Sequence, residues 1–455
     1  MTLPAGPLIA WYGDDFTGAG AVMEVLTFAG LPSVLFLDLP TPERLARFEG
    51  LRGIGIAGNA RTQSADWMAH HLPPVYEALR ATGAPVIHYK ICSTLDSAPH
   101  IGSIGTAADL GLREGDWAPV LAAAPQIGRW QAFGNLFAAA GDNVERLDRH
   151  PTMSVHPVTP MNEADLRRHI GQQTSRTVGL IDLRALKSGT AAEELAAQRA
   201  AGHTLIAIDV VDAETLTEAG RLIWSEASKN QLFTIGSQGI EYALTAAWRA
   251  AGDLAPAPDI PKPAAVDHIA AVSGSCSPVT ARQIEHATQN GWAAIRLDPT
   301  KALDPTALVM ETARVSSLAL AALGEGQAPL VITATGPDDP EVARFREAIT
   351  TAGADTARTN ARLGGALGSV LRRIVQEAGL TRAAIAGGDT SSMATEALGL
   401  WALTAAASIG PGAPLLRGHG DTPATDGIEI SLKGGQMGAP DYFSALRGQT
   451  SGETT

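Results

Sequence analysis

Cysteine is scarce in this chain: Cys92 and Cys276 are the only two in 455 residues. They lie far apart and outside any CxxC or Cys/His spacing, which excludes a disulfide framework and a structural zinc centre and fits a reducing cytoplasm. Clustered positive charge is missing too. The formal net charge is -13 and no segment is a basic run, so no nucleic-acid partner is expected, because phosphate backbones demand grouped Lys and Arg. Aromatic residues are few, at 5%. No window approaches the roughly 18 uninterrupted apolar residues of a membrane span, and residues 1–7 lack the positive region and apolar stretch of an export signal, so no membrane association is expected. A G-x-x-x-x-G-K-[ST] phosphate loop is also absent, so any nucleotide needs a different backbone cradle.

What is present is the composition of a packed protein, 45% hydrophobic and 18% charged, with enough chain for two large or three small domains. Apolar runs at 8–12, 33–38, 53–57, 86–91 and 120–124 alternate with helical patterns over 17–30 and 64–81. That alternation implies parallel strands with crossover helices. Further strands are expected at 178–182, 205–211 and 232–235. The stretch AGDLAPAPDIPKP (251–263) follows, and its prolines deny backbone donors and oppose a helix or inner strand. Alternation resumes at 268–272, 293–297, 330–333, 383–386 and 403–409. The expected class is α/β: two domains, each a mainly parallel or mixed sheet flanked by helices, with a cleft between them. The expected boundaries are 1–250, a Pro-rich linker 251–265, a second domain 266–447 and a flexible tail 448–455.

Chemistry concentrates where apolar runs end. Gly13-Asp14-Asp15-Phe16-Thr17-Gly18 sits between the first strand and first helix, where open α/β sheets bind ligands. One carboxylate there is explained as a helix cap; the second is left to accept a substrate hydroxyl's hydrogen bond or proton. Gly58-Asn59-Ala60-Arg61 follows another strand, and a guanidinium fork suits a carboxylate. Tyr89-Lys90-Ile91-Cys92-Ser93-Thr94-Leu95-Asp96-Ser97 adds an ammonium and hydroxyls, although turn chemistry also explains the hydroxyls and Cys92 reads as a small buried residue. Together these groups suit a polyhydroxy carboxylate.

A literal G-x-G-x-x-G at 53–58 points to a dinucleotide site only if a strand precedes it and a helix starts within it. Here Ile54 and Ile56 alternate with the glycines as inside a strand, so the motif is set aside. The second domain offers three glycine- and hydroxyl-rich turns: Ser273-Gly274-Ser275-Cys276-Ser277-Pro278, Gly387-Gly388-Asp389-Thr390-Ser391-Ser392 and Lys433-Gly434-Gly435-Gln436-Met437-Gly438. Exposed amides at a helix start favour phosphate oxygens, and glycines permit close approach. Asp389 is a candidate for Mg²⁺ contact through water; no protein-held metal centre is expected.

In GDDFTGA (13–19), YKICSTLDSAPHIGSIG (89–105), HPVTPMNEADL (156–166), VSGSCSPVTARQI (272–284), GGDTSS (387–392) and LKGGQMGAPDYF (432–443), the chain resembles the four-carbon acid sugar kinase family. The resemblance implies an N-terminal domain binding a sugar acid, a C-terminal domain binding ATP with Mg²⁺, and phosphoryl transfer across the cleft. It implies Asp15, Arg61, Lys90, Ser93 and Thr94 at the acceptor, and Asp14 and Cys92 in the same turns are expected beside them; Asp15 is the expected catalytic base, because phosphoryl transfer needs mainly positioning and a carboxylate near the attacking hydroxyl. The resemblance also implies Ser273, Gly387, Gly388, Asp389, Thr390 and Gly434 at the nucleotide, and Ser275 in the first of these turns is expected beside them. Members of the family act on tetronates, 3-oxo-tetronates or 3-oxo-isoapionate. The opening Tyr12-Gly13-Asp14-Asp15 departs from the Ala-Asp-Asp of the tetronate and oxo-tetronate enzymes and is more similar to the 3-oxo-isoapionate branch. A homodimer is left open. A non-catalytic sugar-acid sensor and an NAD-linked oxidoreductase stand as alternatives.

Overall fold

The computed structural model describes residues 3–156, 158–260, 262–410 and 413–448, except the side chain of Asp389. Residue 261 of the expected linker and 449–455 of the expected tail lie outside the described residues. The chain divides into two compact units at Pro258/Asp259, and the described residues from 255 to 269 form neither helix nor strand.

Among the described residues, eleven strands belong to the first unit: β1 (Ile9–Gly13), β2 (Ser33–Phe36), β3 (Gly53–Ile56), β4 (Val86–Lys90), β5 (Ala118–Leu121), β6 (Arg129–Ala132), β7 (Asn135–Ala140), β8 (Asn143–Arg146), β9 (Val178–Ile181), β10 (Leu205–Ile208) and β11 (Leu232–Gly236). Eight form a parallel sheet in the order β2-β3-β1-β4-β11-β5-β10-β9. Strand order reverses beside β1, so the chain leaves β1 and β4 at a topological switch point, the place where such sheets open to ligands. The strands are buried on both faces, as helices covering both sides require.

The glycines of the 53–58 string are inside and just after β3, and each makes room for a larger neighbour. A Cβ on Gly55 would overlap the Trp11 indole, one on Gly58 the Tyr12 ring, and one on Gly53 the Ser33 side chain. The string is therefore a packing device that admits two aromatic side chains of β1. The antiparallel sheet β6-β7-β8 is not legible in the sequence pattern, since its six-residue middle strand Asn-Leu-Phe-Ala-Ala-Ala lacks β-branched residues and clean alternation.

The second unit holds β12 (Ala270–Ser273), β13 (Trp292–Arg296), β14 (Ala328–Ile332), β15 (Arg382–Ala386), β16 (Leu400–Ser408), β17 (Pro414–Gly420) and β18 (Glu429–Lys433). Their order is β13-β14-β12-β15-β18-β17-β16, parallel as far as β18 and antiparallel through β17 and β16. Helix Pro305–Gly324 is long and apolar enough by length and composition to cross a membrane. It nevertheless carries Glu311 and Arg314, paired at 2.6 Å, and buries Val315, Ala319 and Ala322.

Candidate active site

Three adjacent strands, β3, β1 and β4, end side by side in the first unit, with Gly13 in register with Lys90 and Tyr12 with Ile56. Gly13 is required by the helix that follows, because a Cβ there would overlap Ala19. The two carboxylates after it are divided by their surroundings. Asp15 caps helix Phe16–Phe28, its Oδ1 accepting from the Gly18 amide at 3.1 Å and its Oδ2 from the Thr17 hydroxyl at 2.6 Å. Asp14 accepts from Arg61 Nε at 3.3 Å and Nη2 at 2.6 Å, and the same Nη2 lies 2.6 Å from Asp15 Oδ1. The Asp14 side chain is 3% exposed and that of Asp15 24%. Asp15 is thus the carboxylate a ligand can reach, whereas Asp14, expected at the acceptor, lies buried and positions Arg61.

Electrostatics sharpen the division. Burial raises the Asp14 carboxyl above its ordinary range, and the neighbouring Asp15 charge adds to this against the pull of Arg61. Burial pushes Asp15 up as well, but Arg61, Lys90 and the bonds from Thr17 and Gly18 outweigh it and hold Asp15 below its ordinary value. Asp15 is therefore ionised at neutral pH, and the pair is driven apart in the manner of carboxylates with separate roles. Replacing Asp14 by Ala leaves the partly buried Arg61 with one carboxylate in place of two; a loss of about 3 kcal/mol of stability is expected in urea unfolding.

Lys90 is buried, with Nζ donating to the Ile91 carbonyl at 2.8 Å. A Cβ on Gly18 would lie 2.9 Å from that Nζ and overlap Asp15 Oδ1, so glycine at 18 keeps space for an ammonium beside the carboxylate. Beyond β4, the Thr94 hydroxyl donates to Asp96 Oδ1 at 2.7 Å and lies 2.9 Å from Cys92 Sγ. Burial and the Asp96 charge push the Cys92 thiol up to about 11, which keeps it protonated and rules out a thiolate nucleophile at neutral pH. Leu95 holds a left-handed φ of 57°, a strained state for a non-glycine residue. Its carbonyl accepts from the Ser97 hydroxyl at 3.0 Å.

The expected residues Asp15, Arg61, Lys90, Cys92, Ser93 and Thr94 therefore sit on one sheet edge. Arg61 differs from expectation in one respect: Nε and Nη2 are already bonded to Asp14 and Asp15.

In the second unit β12, β15 and β18 are neighbours, and Ser273, Ala386 and Lys433 stand in register across them. The three glycine-rich turns thus leave adjacent strand ends. Gly387 has φ 129°, accessible to glycine alone, and opens helix Gly388–Leu398; its amide donates to the Lys433 carbonyl at 2.9 Å. A Cβ on Gly274 would overlap Thr390 Oγ1, and one on Gly435 would lie 2.7 Å from Ser275 Oγ. Thr280 Oγ1 lies 3.0 Å from both the Gly435 carbonyl oxygen and Ser275 Oγ, two acceptors for its one proton. Ser273, Ser275, Gly387, Gly388, Thr390 and Gly434 are consequently together; the Asp389 side chain lies outside the described residues.

Sequence reasoning marks Lys433 only as the first residue of a turn. Its side chain is fully buried, with Nζ donating to Thr280 Oγ1 at 3.1 Å and the Gly434 carbonyl at 3.4 Å. Among the described residues no carboxylate pairs with it, and burial lowers its pKa to about 8. The one signal was a lysine ending an apolar strand ahead of two glycines. A hollow of about 540 Å³ elsewhere in this unit is lined by Arg296, Asp298, Arg314, Glu341 and Arg344. It shares no residue with the turns, and its arginines are paired with acids, so it is self-neutralised. Among the described residues no group of three His, Cys, Asp or Glu is placed to hold a metal ion.

Residues 9–244 match the family model described as a sugar-binding N-terminal domain, and 270–443 match the one described as a nucleotide-binding C-terminal domain. A 3-oxo-isoapionate kinase of Paraburkholderia graminis is 48% identical over 446 residues, covering 98% of this chain and 95% of that protein. The chain belongs to the four-carbon acid sugar kinase family. It is a sugar-acid kinase. A 3-oxo-tetronate kinase of Burkholderia multivorans is 32% identical, covering 98% of this chain and 99% of that protein. The fold is also that of the Haemophilus influenzae protein HI1011, with a TM-score of 0.73 at 24% identity, covering 96% of this chain and 99% of that chain. Neither the sensor nor the NAD-linked oxidoreductase reading is supported by these kinases, and the glycine string that prompted the latter is occupied by aromatic packing.

Proposed function

We propose that this chain is an ATP-dependent kinase whose acceptor is 3-oxo-isoapionate, acting in the cytoplasm. The observation that carries the acceptor is the gap in identity: 48% to a 3-oxo-isoapionate kinase against 32% to a 3-oxo-tetronate kinase, both over nearly the whole chain. Gly13 in place of the alanine of the oxo-tetronate opening agrees with it.

In this reading the first unit binds the acceptor. Asp15, ionised and reachable, accepts the hydrogen bond and then the proton of the attacking hydroxyl. Lys90 and Arg61 fix its orientation, and Cys92, Ser93 and Thr94 line the turn that holds the substrate's polar groups. The second unit binds the nucleotide through the amides and hydroxyls of Ser273, Ser275, Gly387, Gly388, Asp389 and Thr390, with Gly434 admitting close approach and Lys433 supplying positive charge. The close-packed turns and an ammonium without a carboxylate partner suit a polyphosphate. When bound, ATP supplies the phosphoryl group and Mg²⁺ neutralises charge on its phosphates. Positioning accounts for most of the protein's share in such transfers.

A coupled assay of ADP release with 3-oxo-isoapionate, 3-oxo-tetronate, threonate and erythronate tests this. The expected result is ATP-dependent turnover with kcat/KM for 3-oxo-isoapionate at least tenfold above the others, a ratio requiring about 1.4 kcal/mol of transition-state discrimination. Equal or better turnover of 3-oxo-tetronate overturns the acceptor assignment. No turnover with any acid, together with no ATP binding by calorimetry, overturns the ATP assignment as well.

A further inference from the structure

The acceptor edge contains a cation that neither the motifs nor the strand-end pattern point to. Arg129 opens β6, in the excursion that follows β5, and its backbone bridges to Ala124. The strand is fixed at this edge. The Gln131 amide donates to the Val210 carbonyl at 2.8 Å, and Gln131 Nε2 donates to the Ile208 carbonyl at 3.1 Å. Asp209, fully buried, accepts from the amides of Phe133 at 2.6 Å and Gly134 at 2.9 Å. β6 is thereby pinned to the end of β10.

The Arg129 side chain is half used. Nη1 donates to its own turn, to the Gly128 carbonyl at 2.8 Å and the Ile127 carbonyl at 3.3 Å, which sets the plane of the guanidinium. Nε is buried and has no hydrogen-bond partner among the described residues. A buried donor without a partner is costly and uncommon, so a group that satisfies it is to be sought. Ala138, the cross-strand partner of Arg129, packs in one core cluster with Ile91 and Leu95, and the Asp96 charge acts on the guanidinium, so Arg129 lies beside the turn that follows β4.

The other two cations of this edge are engaged. Arg61 spends Nε and Nη2 on Asp14 and Asp15, and Lys90 is bonded to the Ile91 carbonyl next to Asp15. A substrate bearing a carboxylate meets an edge whose Asp15 is ionised and whose Arg61 is already neutralised. The free Nε side of Arg129 has the geometry that takes two carboxylate oxygens side by side.

We infer that Arg129 is the residue that binds the acceptor's carboxylate and so makes the enzyme select an acid over an uncharged sugar of the same shape. The inference rests on the acceptor edge assigned above.

The test compares the wild-type full chain with Arg129→Met, Arg129→Gln and Arg129→Lys, using the best acceptor acid of the coupled assay and the carboxamide of that same acid. Arg129→Met and Arg129→Gln are expected to raise KM for the acid about 100-fold while leaving KM for ATP within threefold. The preference for acid over carboxamide should collapse toward unity, and Arg129→Lys should restore part of it. An unchanged KM for the acid, or an equal loss on acid and carboxamide, overturns the inference. Thermal melts show which variants are folded. If Arg129→Met is not, Arg129→Lys and Arg129→Gln carry the comparison, since a charge-binding role separates them and a packing role does not. If the wild type turns over no acid, the function proposed above fails by itself. Calorimetric binding of the acid to wild type and Arg129→Gln then decides Arg129: weaker binding by the variant supports it, and equal binding or none to either overturns it.

Discussion

Asp15→Asn should reduce kcat by about 10²–10⁴-fold, the usual scale of general-base catalysis, while ATP affinity stays within threefold of wild type. The substitution is nearly isosteric and Asn is as good a helix cap as Asp, so the Gly18 bond that starts helix Phe16–Phe28 is retained. What disappears is the negative charge that Arg61 and Lys90 stabilise. Arg61 keeps its two bonds to Asp14, so the fold loses little, in contrast to Asp14→Ala. Steady-state kinetics with titration calorimetry of ATP provide the check. A comparable fall in ATP affinity in a folded variant would contradict an acceptor role for Asp15, and unchanged kcat would remove it from the chemistry.

The contrast between these two neighbouring acids shows what sequence could and could not reveal. Strands β1 to β5 were legible because each is a short apolar run closed by Gly, Asp, Ser or, after β5, Pro125, and the positions of Asp15, Arg61, Lys90 and Thr94 follow from that punctuation. The separation of Asp14 from Asp15 was not, since it depends on which carboxylate Arg61 covers, and Arg61 arrives from a strand 40 residues away in sequence whose neighbour is fixed only by the sheet order. The 53–58 glycines could be set aside as intrastrand residues, but their reason, space for Trp11 and Tyr12, lies across the sheet. Strand β16 was expected at 403–409, but its antiparallel partner β17 and the β6-β8 sheet were missed because pairing direction leaves little trace in composition. Arg129 was hidden for the same cause: it is an isolated arginine after a turn, and only the pinning of β6 by Asp209 and Gln131 brings it to the acceptor edge.

Lys433→Met is expected to weaken ADP binding by about 10–100-fold at pH 7.5, the effect of losing a charge-assisted bond to phosphate, and to abolish a pH dependence that the wild type shows. Burial lowers the pKa of Lys433 to about 8, and phosphate oxygens favour its charged form, so nucleotide binding takes up a proton above that pH. Wild-type affinity should fall several-fold between pH 7.5 and 9, whereas the variant's should stay level; ADP phosphates are fully ionised across this window. Stability runs the other way. The folded-state pKa lies below the unfolded value of roughly 10.5, so the unfolded chain binds more protons between the two values and this residue makes the apo protein more stable as pH rises through that interval. At neutral pH the buried ammonium is a liability to the fold, and removing it offsets the lost bond to Thr280. The melting temperature of Lys433→Met without nucleotide is therefore expected to be no lower than that of the wild type at pH 7.5. A merely structural lysine gives the opposite pattern, with a lower melting temperature and unchanged ADP affinity. Melts and calorimetry on one preparation distinguish a residue retained for its ligand from one retained for its packing.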